Sequence, residues 1–376
     1  MDEQFEYIIT DEERAARRAS RTAARLERQR KERLRLLKHI AVCGGVCVGL
    51  ILCVALGLKL VQFFSSESGQ VDDPSLSTQK PPMTSVQTPP ESATHEFVDT
   101  PEVPFSLSPD DRTVTIGDEL SSKYAIVIDL TGEAILAQKS ADTVISPASM
   151  TKILTILVAA EHIEDLSELD NTYTIDLSIT DYCYVNECSV AGFLKDEAVT
   201  VRNLFYGTIL PSGAEAALGL ANYIAGSHDA FVELMNEKVA ELGLSETAHF
   251  TNCVGLYHKQ NVCTVYDIAM ILKAAMENDI CREVLTTKIY QIPASDEHPE
   301  GMILSNWFLR RIEDYVPEGM EVIGAKTGYV SQAGNCAASI AMTDDGAYFI
   351  CVTANTSSSK QCVQDHVQLY TTYMGY

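Results

Sequence analysis

The heptapeptide Ser146-Pro147-Ala148-Ser149-Met150-Thr151-Lys152 places a serine and a lysine three positions apart. Ser146 suits an N-cap and Pro147 the first helical position, so the segment reads as a helix start. Ser149 then falls in the first turn, where free backbone N–H groups and the positive helix end favour developing negative charge. Lys152 lies on the same face and within reach of the hydroxyl. A serine needs an adjacent base to become a useful nucleophile, and a neutral lysine serves if burial or a nearby cation depresses its pKa. The pair is sufficient for acyl transfer, although both residues are also common at helix starts. Two further groups could complete a site. Lys326-Thr327-Gly328 lies at the end of a predicted strand, the glycine permitting close approach and the lysine and threonine offering a cation and a hydroxyl to a carboxylate. Ser212-Gly213-Ala214 follows Leu210-Pro211 at a break in a helical region. Its hydroxyl could relay a proton between the lysine and a leaving amine; the plainer alternative is a Ser-Gly turn between helices.

Positioning these groups needs strands at both ends of one domain and helices between. Tyr124 to Leu130 is apolar and β-branched, Thr131-Gly132 reads as a turn, and Glu133 to Gln138 alternates, which predicts a hairpin. Val322 to Ala325, Cys336 to Met342 and Tyr348 to Val352 are short apolar runs near the C-terminus. Spaced apolar residues predict helices over Ile153 to Ala160, Val201 to Ala225, Ala230 to Leu242, Tyr266 to Met276 and Gln361 to Tyr373. The economical arrangement is a mixed α/β (α+β) domain over residues 118–376. Its strands join in one antiparallel sheet flanked by helices, and the central helices form a lobe across a cleft.

The N-terminal third differs. Residues 1–38 hold eleven Lys/Arg against eight Asp/Glu, so with a net charge of −24 overall the remainder carries −27. Such an acidic body excludes nucleic acid as a partner, since that needs clustered cations to displace phosphate counterions. Nineteen uncharged residues from Ile40 to Leu58 approach the roughly 20 needed to cross hydrocarbon. They predict one span within 39–64. The basic stretch before it places the N-terminus in the cytoplasm and the rest of the chain outside. A cleaved signal peptide is the competing reading, opposed by the long charged lead and the lack of a small-x-small site. Residues 65–117, with eight of the thirteen prolines between Pro74 and Pro109, read as a disordered linker. Eight cysteines follow the span; Cys183/Cys188 and Cys253/Cys263 are candidate disulfides, with buried free thiols as the alternative. No metal-ligand set appears, and His228, His249, His258 and His298 read as structural or surface residues. No cofactor is expected.

In their order, the three motifs match Ser-x-x-Lys, Ser-Asp-Asn and Lys-Thr-Gly of class A β-lactamases and penicillin-binding proteins. From about Tyr124 onward the chain resembles the serine-type D-alanyl-D-alanine carboxypeptidases, the low-molecular-mass penicillin-binding proteins of peptidase family S11. The resemblance extends to Ala125 through Glu133, His249-Phe250-Thr251-Asn252, Thr264-Val265-Tyr266-Asp267, and Lys326 through Gly334. It implies a β-lactamase/transpeptidase-like fold and action on the D-Ala-D-Ala end of peptidoglycan stem peptides. By resemblance, Ser149 is the nucleophile, Lys152 its base, and Ser212 an aid to proton transfer. Lys326 and Thr327 would hold the terminal carboxylate beside Gly328. The backbone N–H groups of Ser149 and Tyr329 would form the oxyanion hole, and β-lactams would be trapped on Ser149.

One departure is Ala214, where the family usually has an Asn whose amide can bond the lysine and the substrate; Glu215 is a candidate to compensate. A β-lactamase is the first alternative, but no Glu-x-x-Leu-Asn segment follows Ser212, and Glu233-Leu234-Met235-Asn236 has the wrong spacing. A catalytically weak wall-binding protein of the same fold is the second. Forty-eight residues follow Gly328, so the family's usual C-terminal extension is expected to be absent.

Overall fold

The computed structural model describes residues 106–374. The segment expected to be cytoplasmic, the predicted span and residues 65–105 of the predicted linker lie outside the described residues. Among the described residues no helix is long and apolar enough to cross a membrane.

Among the described residues there are ten strands: β1 (Val114–Thr115), β2 (Tyr124–Asp129), β3 (Ala134–Lys139), β4 (Thr172–Thr174), β5 (Ala198–Thr200), β6 (Ile289–Ile292), β7 (Met302–Ser305), β8 (Met320–Val330), β9 (Gly334–Thr343) and β10 (Tyr348–Thr356). Six form the main sheet in the order β1-β3-β2-β10-β9-β8. Both ends of the domain therefore meet in one sheet, as the strand pattern predicts, with β2 antiparallel to β10. Two features depart from the expectation. The edge pairing of β1 with β3 is parallel, and β4–β5 and β6–β7 form separate two-stranded sheets. Ordered structure also starts before residue 118, because β1 and the buried Ile116 precede it.

Alternation explains why both faces of the sheet are covered. Ala125 and Val127 of β2, Ala337 and Ala341 of β9, and Phe349 and Cys351 of β10 enter one apolar cluster. Ile126 and Ile128, Ala338 and Ile340, and Ile350 and Val352 enter the other. Successive side chains point to opposite faces, so a strand buried on both sides must be apolar throughout. The C-terminal helix Ser359–Tyr373 packs on the first face against β9 and β10. His366 there bridges Ser339 Oγ at 2.8 Å and Thr353 Oγ1 at 3.0 Å, so the buried hydroxyls of two adjacent strands are satisfied.

On the other face lies the helical lobe, built around Thr151–Glu161. Every residue from Thr151 to Ala160 is buried, which accounts for its almost unbroken apolar sequence. It packs against the helices Val201–Ile209, Ala214–Ala225, His228–Glu241 and Val265–Glu277. The last of these begins in a capping box in which the Thr264 hydroxyl accepts from Asp267 N and the Asp267 carboxylate accepts from Thr264 N. That reciprocal pair is the physical content of the Thr264–Asp267 segment noted in the sequence.

All eight described cysteines are free thiols, so neither candidate disulfide is present. Cys183 is buried and Cys188 half-buried, and Cys253 and Cys263 are both buried.

Candidate active site

The Ser149 turn differs from the predicted helix start. Ala148–Met150 is a 3-10 turn preceded by Pro147, without a side-chain cap, and the α-helix begins at Thr151. Ser146 is not the cap: its Oγ is buried without a hydrogen-bond partner. Ala148 has φ +48°, a left-handed conformation that turns the chain sharply just before the nucleophile. Two glycines make room for this turn. A Cβ on Gly328 would lie 2.9 Å from Ser149 N, and one on Gly255 would lie 2.0 Å from the Ala148 carbonyl oxygen.

Gly255 also has φ +81°, whereas Gly226 has φ +73° with nothing within 4 Å of its ideal Cβ. Alanine at either site meets backbone strain of about 1–2 kcal/mol, but only at Gly255 must the serine turn itself move. Gly226→Ala is expected to lower stability by that amount and leave penicillin uptake unchanged. Gly255→Ala is expected to cost a further ~1–3 kcal/mol and to slow acylation at least tenfold. Thermal unfolding and gel labelling by a fluorescent penicillin check both; equal behaviour of the two variants would remove Gly255 from this role.

Lys152 Nζ lies 3.3 Å from Ser149 Oγ and donates to the Val254 carbonyl at 2.7 Å. Burial lowers its pKa to about 8. The carbonyl is presented by a loop organised around Asn252, whose Oδ1 accepts from the backbone N–H groups of Val254, Gly255 and Leu256. Asn252 and Val254 thus position the lysine, a role that the sequence reading did not assign, although the resemblance included Asn252.

Lys326-Thr327-Gly328 lies near the C-terminal end of β8, as expected, and stays in the ladder: Lys326 pairs with Ala338, Thr327 with Ala337 and Gly328 with Cys336. The apolar run Val322–Ala325 marked only the first half of the strand. Lys326 Nζ donates to Ser212 Oγ at 2.9 Å and to the Thr327 carbonyl at 2.7 Å. Burial, then the neighbouring Lys152, holds its pKa well below the ordinary value. Ser212 sits between the helices Val201–Ile209 and Ala214–Ala225 with φ +64°, so the predicted break is there and it aims the hydroxyl at the strand. Its bonded partner is Lys326, not Lys152.

Ala214 is buried and lines the same part of the cleft as Lys152, and Glu215 does not take over the missing amide. Its Oε1 accepts from Gly192 N at 2.7 Å and Phe193 N at 3.3 Å, and Oε2 is buried without a partner. Burial raises its pKa against these hydrogen bonds. The carboxylate anchors the loop that follows Ser189; the bond that an Asn would offer Lys152 is supplied by the Val254 carbonyl instead.

The cleft has two adjoining halves, of about 720 Å³ and about 500 Å³. Lys152 and Ala214 line the larger, Ser212, Thr327 and Gly328 the smaller, and Ser149, Glu187, Ser189 and Tyr329 border both. Tyr329 is 63% exposed and borders both halves, so it is a wall of the cleft. Lys326 reaches the smaller half through its contact with Ser212. His228 and His258 also line the larger half; His228 Nε2 accepts from Cys253 N at 3.1 Å.

A serine on a tight turn, bonded to a buried lysine and facing a strand edge with a second lysine, defines a serine hydrolase that works through an acyl-enzyme. A family model described as D-alanyl-D-alanine carboxypeptidase, peptidase S11, matches residues 111–358. A D-alanyl-D-alanine carboxypeptidase of Streptomyces sp. is 33% identical over 207 residues, covering 54% of this chain and 69% of that protein. The Bacillus subtilis D-alanyl-D-alanine carboxypeptidase DacF is 28% identical over 238 residues, covering 62% of this chain and 56% of that protein. The crystal structure of a Streptomyces DD-transpeptidase superimposes with a TM-score of 0.62 at 27% identity, covering 68% of this chain and 98% of that one. The chain belongs to the D-alanyl-D-alanine carboxypeptidase family of serine peptidases, peptidase family S11, as the motif resemblance implies.

Proposed function

We propose that the protein is a serine-type D-alanyl-D-alanine carboxypeptidase that removes the terminal D-alanine from peptidoglycan stem peptides, and that penicillin acylates the same serine. The observation that carries this reading is the 3.3 Å approach of Lys152 Nζ to Ser149 Oγ in a cleft bordered by β8. Lys152 accepts the hydroxyl proton as Oγ attacks the carbonyl of the penultimate D-alanine. The terminal D-alanine leaves as an amine after taking up a proton, with the hydroxyl of Ser212 on the leaving-group side. The N–H groups of Ser149 and Tyr329 stabilise the oxyanion. Thr327, with Lys326 behind it, receives the terminal carboxylate. Water then hydrolyses the acyl-enzyme. Among the described residues no carboxylate is hydrogen-bonded to Ser149 or Lys152, so no observation favours the β-lactamase alternative.

The uncharged run Ile40–Leu58 behind a basic segment supports a single-pass anchor with the catalytic domain on the outer side of the membrane. Peptidoglycan is the substrate that such a placement makes accessible.

The test is release of D-alanine by the full-length enzyme from diacyl-L-Lys-D-Ala-D-Ala across pH. Lys152 must be neutral to act as base, and its pKa is lowered to about 8. Activity is therefore expected to be low below that pH, half-maximal near 8 and level above it, as the ammonium loses its proton. No release at any pH overturns the function; a rate that falls as pH rises through 8 overturns the role of Lys152.

A further inference from the structure

Of the residues bordering both halves of the cleft, Glu187 has no part in the acyl-transfer chemistry. Its conformation is costly: φ is +50°, a left-handed backbone that Gly or Asn adopts more readily than glutamate. The surrounding turn is nevertheless firmly held. Glu187 N donates to the Tyr184 carbonyl at 3.3 Å, Cys188 N to the Cys183 carbonyl at 2.9 Å, and Asn186 Nδ2 to the Tyr182 carbonyl at 2.8 Å. The helix Leu177–Val185 thus ends in a pinned turn that presents an exposed carboxylate at the cleft. Among the described residues, nothing pairs with that carboxylate. It is also the only carboxylate lining either half of the cleft, whose lysine, Lys152, is buried and already bonded. The substrate surface therefore meets one accessible carboxylate here, in a half that His228 and His258 also line.

The position of this charge relative to the reaction restricts what it can meet. The terminal carboxylate belongs in the smaller half with Ser212 and Thr327, and the scissile carbonyl at Ser149, so the peptide upstream of the scissile bond leaves through the larger half. Glu187 stands where the two halves join, and the residue immediately before D-Ala-D-Ala must pass it. We propose that Glu187 recognises a free side-chain amine on that residue. The preferred substrates are then stem peptides carrying a diamino acid whose amine has not been acylated, as it would be in a branched or cross-linked peptide. This inference rests on the carboxypeptidase reading and specifies its substrate class.

The test compares Nα-acetyl-L-Lys-D-Ala-D-Ala, whose side-chain amine is free, with the diacylated peptide, using the full-length enzyme. An exposed ion pair predicts kcat/KM about fivefold higher for the free amine. The preference should reside mainly in KM and shrink as salt is raised. Glu187→Gln is expected to remove it by lowering only the free-amine value, while turnover of the diacylated peptide and penicillin labelling stay at the wild-type level. Equal kcat/KM for the two peptides with wild type, or a preference that survives in Glu187→Gln, overturns the role of Glu187 and leaves the carboxypeptidase reading intact. Release of D-alanine from neither peptide overturns both.

Discussion

Ser149→Ala is expected to release no D-alanine from an acyl-D-Ala-D-Ala peptide and to take up no penicillin. The substitution deletes the atom that forms the acyl bond, and the closely placed hydroxyl of Ser212 is bonded to Lys326 at 2.9 Å. The loss should be at least about 10⁴-fold, because nucleophile and base act as a unit and removal of either forfeits most of what the pair provides. The fold should survive, since the Ser149 hydroxyl bonds only to Lys152 Nζ, at 3.3 Å. Intact thermal unfolding with absent labelling is therefore the expected combination. Labelling at an undiminished rate would place the nucleophile elsewhere.

Lys152→Ala is the second large effect, about 10²–10⁴-fold in acylation if the lysine is the general base. Part of the consequence is structural, because the buried Val254 carbonyl loses the donor it holds at 2.7 Å. Lys152→Arg separates the two contributions. A guanidinium can still donate to that carbonyl but stays protonated at every accessible pH. The arginine variant is therefore expected to recover stability without recovering acylation, measured by unfolding and by the rate of penicillin labelling. If arginine restores the rate, positive charge rather than a neutral amine is what Ser149 requires.

The parts of this arrangement legible in the sequence are those fixed by local pattern. The hairpin β2–β3, the strands β9 and β10, and the helices over the five predicted apolar runs follow from periodicity over stretches long enough to count, the run Val201 to Ala225 holding two of them. The Ser149–Lys152 spacing and the break before Ser212 are likewise local. What escaped depends on distant neighbours. Ser146 looks like a cap, yet the turn is shaped by the close packing of Gly255 and Gly328, more than a hundred residues away. Lys326 to Gly328 reads as the end of a strand because its polar residues interrupt the apolar run; pairing with β9 extends it. Glu215 looks placed to replace the absent Asn, but the backbone of Gly192 and Phe193 draws it away. The Val254 carbonyl carries no side-chain signature at all.

The pairing of β2 with β10 joins Ile128 to Ile350, bringing an early strand and the last strand of the domain together at the centre of the sheet. A ribosome adds roughly 5–20 residues per second, so the first hairpin waits many seconds before its central partner exists. Contacts separated this widely in sequence slow folding, because the loop must close before the pairing rewards it. The nucleophile turn packs against β8, which is also made late. A nascent chain therefore remains pliable, and without a complete acylation site, through most of its synthesis, and it becomes an enzyme only when its last strand takes its place.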